Sequence, residues 1–287
     1  MDQTFKTIAD LFAVAQPDEV TVKSPTRKKE GKTAEESDQL GRQCLQEGDI
    51  EAAIKHFKTA VSQRDATDIA SRLDLAGAYD YADQAPQAYR QYQQALRLQS
   101  DAAEPLLGIS DLMRRHGRFR DSVVSLEEAI KREPANAYLR IKLAEVLRDA
   151  GERKRALTAA QQAIVAKPDE AFYHYWIGDL LIQMERYEEA LDSLRAAIEL
   201  SPGDDFLYLR AAVAFWRVGR KQEAIKAIRL ASDLDPAKHF YHGLLGILLE
   251  ENNLPEEASQ ESDRASQMDR YDHDTLARVL DEMGIEA

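Results

Sequence analysis

The chain has 287 residues, 51 of them acidic and 38 basic, for a net charge of −13, with one Cys, 13 Gly and 9 Pro. That acidic balance disfavours generic binding to a phosphate backbone, the single Cys44 excludes an intrachain disulfide framework and suits a reducing compartment, and no apolar run approaches the ~20 residues of a membrane span. With 44 % hydrophobic and 31 % charged residues but little Gly or Pro, the composition points to helix, and the length alone allows one or two globular domains.

The first predicted element is a short amphipathic helix over about residues 4–16. Phe5, Ile8, Leu11, Phe12 and Ala15 share one stripe, and Pro17 stops it. A polar linker follows to residue 33, with a basic run of Lys23, Arg27, Lys28, Lys29 and Lys32. The helix reads either as an N-terminal cap or as a docking segment for a partner, its own array or a second protomer. The start of the chain lacks the basic, then long apolar, pattern of an export signal, so a cytoplasmic location is expected.

From residue 34 the chain repeats itself. Pro134, Pro168, Pro202 and Pro236 stand 34 residues apart. Gly48, Gly117, Gly151 and Gly219 keep the same step, as do Gly41, Gly178 and Gly246 once one inserted residue near Asp65–Asp68 is allowed for. Two alanine phases run through every unit: Ala60, Ala95, Ala129, Ala163, Ala197, Ala231, Ala265, and seven residues earlier Ala53, Ala88, Ser122, Ala156, Ala190, Ala224, Ala258. Within 171–204, apolar residues recur at helical spacing on both sides of a turn near Glu185, and Ser201-Pro202-Gly203-Asp204 closes the unit. Each unit is therefore expected to be a helix–turn–helix. Small residues stand where helix axes approach closely, and Gly stands where the first helix ends. One hairpin cannot bury its apolar faces alone, so neighbours must stack.

The last segment, 273–287, carries Leu276, Val279, Leu280 and Met283 on one face, with Asp272 or Asp274 able to cap its start and Gly284 its end. A capping helix over the last unit is expected there.

The period of 34, the small–Gly phase of the first helix, the Ala–aromatic/Leu–Ala phase of the second and the closing Pro resemble the tetratricopeptide repeat (TPR). The resemblance covers residues 34 to about 270 as seven units: 34–68, 69–102, 103–136, 137–170, 171–204, 205–238 and 239–272. Departures are the missing signature Trp, with Leu106, His174 or Tyr208 in its phase, and the missing Pro after unit one. The resemblance implies an all-α, right-handed superhelical solenoid of seven helix–turn–helix units plus the C-terminal cap. It implies a concave groove lined by the first helices, at positions two, five, six, nine and twelve to thirteen of each unit. Those positions yield Tyr138, Phe172, Phe206 and Phe240, with Tyr175, Trp176 and Asp179 from unit five and Arg210, Trp216 and Arg217 from unit six. Aromatics and Arg dominate binding hot spots. The residue set with which chaperone adaptors hold a C-terminal carboxylate is not found in any window of three units.

Nothing in the chain reads as catalytic: there is no Gly-rich phosphate loop, GxSxG or HExxH. Cys44 falls in an apolar phase and reads as packing, and His174, His239 and His242 come from units that are not neighbours, so no metal or other cofactor is expected. Charge is uneven, −5 in 171–204, +3 in 205–238 and −6 in 239–272. Basic residues gather around inter-helix turns: Arg114, Arg115, Arg118 and Arg120, then Arg148, Arg153, Lys154 and Arg155, then Arg217, Arg220 and Lys221. The expected function is a non-catalytic protein–protein scaffold that holds a partner peptide or helix in its groove, as an adaptor or assembly factor for a multiprotein complex. The alternative is electrostatic binding of nucleic acid or an anionic membrane surface through the basic turns.

Overall fold

The computed structural model describes residues 33–64 and 68–285; the predicted N-terminal helix and basic linker lie outside them, apart from Thr33. Among the described residues there are fifteen helices and no strand. The chain divides into two compact units between Ala150 and Gly151.

The first unit holds α1 (Ala34–Gln46), α2 (Ile50–Gln63), α3 (Ala70–Tyr81), α4 (Ala85–Leu98), α5 (Glu104–Arg115), α6 (Phe119–Arg132) and α7 (Ala137–Asp149). The second holds α8 (Arg153–Ala166), α9 (Ala171–Gln183), α10 (Tyr187–Leu200), α11 (Asp205–Arg217), α12 (Lys221–Leu234), α13 (Phe240–Glu251), α14 (Pro255–Ala265) and α15 (Arg270–Met283). From α1 to α7, and again from α8 to α14, every helix packs on the next, so each unit is a short all-α solenoid. Thr33 opens α1 with a capping box: its hydroxyl accepts from the Glu36 amide, and its own amide donates to the Glu36 carboxylate.

The small phases are where the helices touch. Ala60, Ala95, Ala129, Ala163, Ala197 and Ala231 are fully buried, as are Ala53, Ala88, Ala156, Ala190 and Ala224. Ser122, the one exception to alanine, is buried as well, but its hydroxyl donates to the Ser110 carbonyl at 2.9 Å. The glycine phase of the first helix is a packing requirement. A Cβ on Gly41 would stand 2.6 Å from the Phe57 ring, and one on Gly178 2.7 Å from Leu194 Cγ. Cys44 packs against the core of the first unit.

All seven inter-helix turns carry a residue in the left-handed region. Four are the expected glycines, Gly48, Gly117, Gly151 and Gly219; the other three are Asp83, Glu185 and Asn253, at φ +54°, +59° and +59°. Asn and Asp tolerate this conformation through local hydrogen bonds, whereas a longer side chain gains no such relief. Glu185→Gly is therefore expected to raise stability by about 1 kcal/mol, seen as a higher urea midpoint at unchanged slope. An unchanged midpoint would show the turn to be unstrained.

The C-terminal helix departs from expectation in two ways. It begins at Arg270, three residues early, because Asp269 rather than Asp272 or Asp274 is its cap, accepting from the Asp272 amide at 2.9 Å. Gly284 ends it at φ +72°, as expected. And α15 does not extend the stack along α14: it lies on α11 and α13, the first helices of the last two hairpins. The physical reason is on α14, which buries only Ala258 and Ala265 and exposes Glu256, Glu257 and Gln260. A polar last helix already closes the solenoid, so the apolar face of α15 is free to seek a different partner.

Candidate functional site

In the second unit, α9, α11 and α13 are the first helices on which the groove residues were expected. The structure sorts those residues into two groups. Phe172 and Phe206 are 46 % and 42 % exposed, near the starts of α9 and α11. Tyr175 joins them, with ring centroids 6.2 Å from Phe172 and 5.7 Å from Phe206. Together with Leu207 they wall a cavity of about 310 Å³, which Glu170 and Asp204 also line. Asp204 also fixes Phe206, accepting from its amide at 3.0 Å as the cap of α11. Tyr138, in the first unit on α7, is likewise half-exposed, with Lys142 Nζ 6.0 Å from its ring centre.

The second group is buried. Trp176 and Trp216 are 5 % and 9 % exposed, and Phe240 is stacked against Tyr241 at 4.2 Å between ring centroids. These three are core residues rather than free groove aromatics. Phe240 shares the repeat phase of Phe172 and Phe206 but is 6 % exposed; α13 starts at Phe240 itself, with uncapped His239 before it. Trp216 keeps one face under the Lys221 ammonium, 4.6 Å from the ring.

The charged groove residues Asp179 and Arg210 face each other. Arg210 Nη2 meets Asp179 Oδ1 at 2.6 Å, and Nη1 donates to the Glu282 carboxylate of α15. This is one case of a recurring clasp. Position nine of one hairpin pairs with position six of the next at Arg42–Asp74 (2.7 Å), Asp111–Lys142 (3.3 Å) and Asp179–Arg210. Burial pulls the Lys142 pKa down, but Asp111 and Glu145 outweigh it and hold the ammonium above its ordinary value. These pairs join successive first helices at alternate junctions. Groove-phase charge is thus largely spent on holding the array together. The signal was available in the sequence as opposite charges three residues short of the repeat period.

The basic turns are mostly neutralised where they stand. Arg114 meets Glu145 and Asp149 at 2.9 and 2.8 Å, Arg115 meets Asp80, and Arg118 meets Asp121. Arg148 meets Asp149, Arg155 meets Glu152, and Arg220 meets Glu223. Lys221 has Glu251 at 4.0 Å in addition to Trp216, and Arg217 stacks on Tyr187. Arg120, Arg153 and Lys154 are exposed. An open depression of about 650 Å³ at Arg153–Arg155 is shared with Glu152 and Glu185, so it is of mixed sign. No group of His, Cys, Asp and Glu that could hold a metal occurs among the described residues, and none of their helices is long and apolar enough to cross a membrane.

The tetratricopeptide-repeat sequence profile matches residues 107–152 and 141–205, and a second profile of the same repeat matches 207–238. No curated protein matches significantly. Among solved structures, MamA (residue 41 to its end) from Desulfovibrio magneticus RS-1 is similar with a TM-score of 0.52 at 23 % identity, covering 62 % of this chain and 97 % of that one. TTC0263, a thermophilic TPR protein of Thermus thermophilus, is similar with a TM-score of 0.50 at 22 % identity, covering 64 % and 99 %. YrrB, described as a TPR protein with an unusual peptide-binding site, is similar with a TM-score of 0.50 at 22 % identity, covering 63 % and 92 %. At these identities the likeness is one of fold.

Proposed function

From a chain that belongs to the tetratricopeptide-repeat superfamily, and so is a protein–protein interaction scaffold, we propose an adaptor that grips one extended or helical partner segment on the first-helix face of its second unit. The observation that carries this reading is the half-exposed cluster of Phe172, Tyr175 and Phe206 around its 310 Å³ cavity. Aromatic rings offer a large contact area at small entropic cost, and Phe172 and Phe206 leave theirs uncovered. The two acidic residues in the lining, Glu170 and Asp204, favour apolar side chains flanked by Lys or Arg. The partner residue is accordingly a Leu-, Ile- or Phe-sized group with a basic neighbour. Holding such a segment serves assembly of a multiprotein complex and requires no bond-making chemistry.

The test is an array of short peptides with a central Leu or Phe flanked by Lys or Arg, compared with acid-flanked and Gly-flanked controls. The basic-flanked peptides are expected to bind best, and Phe172→Ser with Phe206→Ser to weaken them at least tenfold while the melting temperature holds. Equal binding by the double variant would remove the assignment.

A further inference from the structure

The C-terminal helix occupies the same first-helix face from the opposite end. Its apolar stripe of Leu276, Val279, Leu280 and Met283 is buried, each residue below 9 % exposed. Its path is prepared by Gly243 of α13, which stands in the repeat phase of Tyr175 and Leu209. A Cβ there would lie 2.9 Å from Met268 Cε and 3.1 Å from Leu276 Cδ2, so the absent side chain leaves a notch that Met268 and Leu276 share. The end of α15 is received electrostatically. Arg210 donates to the Glu282 carboxylate, and Arg217 Nη1 donates to the Glu282 backbone carbonyl at 3.3 Å. Two guanidinium groups thus stand at the negative end of a helix dipole and at a side-chain carboxylate.

Each of these features is what a binding face offers a ligand helix: a hydrophobic stripe at i, i+3, i+4 and i+7, a notch, and paired cations for an acidic C-terminal turn. The stack does not need α15 for closure, since α14 is already polar on its free side. The link from α14 to α15, residues 266–269, lies outside both helices, so release of α15 requires neither of them to unwind.

We propose that α15 is a displaceable occupant of this face, and that the face accepts in trans an amphipathic helix of the same chemistry, apolar at that spacing and acidic at its C-terminal turn. The inference rests on the reading that the first helices of the second unit form the interaction face. It adds a second subsite across α11 and α13, around Arg210, Arg217 and Gly243, opposite in charge preference to the aromatic cavity, and an intramolecular competitor for it.

The probe is a fluorescent synthetic peptide of residues 269–285, titrated into the full chain and followed by polarisation. Wild type is expected to bind it weakly, because the face is filled in cis. Val279→Asp with Met283→Asp strips the stripe of the tethered helix and is expected to tighten peptide binding at least tenfold. Gly243→Leu fills the notch with the residue type that α11 carries at Leu209, and is expected to abolish peptide binding while helicity is kept. In the wild-type chain, hydrogen exchange is expected to be at least tenfold faster for the amides of α15 than for those of α11 and α13.

Equal protection of α15, α11 and α13 would make α15 a fixed part of the fold and overturn the proposal. So would a Val279→Asp, Met283→Asp chain that keeps its helicity and does not bind the peptide, or one that loses helicity well beyond α15. A concentration-dependent dimer of that variant with no peptide binding would also overturn it, by assigning the face to a second copy. Phe172→Ser with Phe206→Ser is expected to leave binding of this peptide unchanged. Failure of the basic-flanked peptides alongside success of this one would therefore reject the aromatic cavity alone.

Discussion

Trp176→Ala is expected to destabilise the second unit by about 3–5 kcal/mol, the usual cost of removing a large buried aromatic side chain. Trp176 sits at a groove position of its repeat, and in sequence it looks like a binding hot spot. In the fold it is 5 % exposed and belongs to the core of α9 together with Ile177, Leu180 and Leu181. Its loss leaves a cavity that the rigid hairpin packing around Gly178 and Leu194 cannot close, since the helices there are already in contact. Urea denaturation followed by circular dichroism measures the effect. Phe172→Ala, one turn earlier and half-exposed, is expected to change stability by less than about 1 kcal/mol. A small effect for Trp176→Ala would return that residue to the groove. The contrast has a practical consequence. Loss of partner binding in a Trp176 variant reports folding, whereas loss in a Phe172 variant reports the surface.

Arg210→Ala is expected to cost about 3 kcal/mol or more, because breaking a buried pair strands the remaining charge. The Arg210 side chain is 8 % exposed and Asp179 17 %, whereas Arg42 in the equivalent clasp of the first unit is 61 % exposed. Removing Arg210 leaves Asp179 with the 2.8 Å hydrogen bond from Gln183 and frees Glu282 of α15 at the same time. Arg210→Met combined with Asp179→Leu is expected to recover most of the loss, since well-packed apolar residues replace a buried ion pair at little net cost. The corresponding exposed pair gives the control: Arg42→Ala is worth at most about 1 kcal/mol. A loss for Arg210→Ala as small as for Arg42→Ala would show that solvent screens both clasps equally.

Comparison of these residues shows why some of the site was legible and some was not. The repeat fold was legible because its causes are local and recur. Small residues at the crossing points, a left-handed residue at each turn and a Pro after four of the seven second helices all act within one hairpin and its neighbour. Exposure of the groove aromatics was not legible. A side chain at a given first-helix phase is left open or covered according to what packs beside it, as Phe206 and Phe240 show at one and the same phase. The charges at groove positions misled for a related reason. Each looks available until its partner in the next repeat is placed 2.6–3.3 Å away.

The sequence by itself determined the helical hairpin, its number of repetitions and where each one turns, because hydrophobic spacing and small residues at the crossing points recur in every unit, with Gly or Pro marking the ends in most. Only the tertiary structure decided which aromatics remain open and where α15 goes. Glu282 finds Arg210 across 72 residues, and Leu276 finds the notch at Gly243. Such contacts have no period. They depend on which face of the stack is left uncovered once the local hairpins have packed, and that is a property of the assembled surface rather than of any segment.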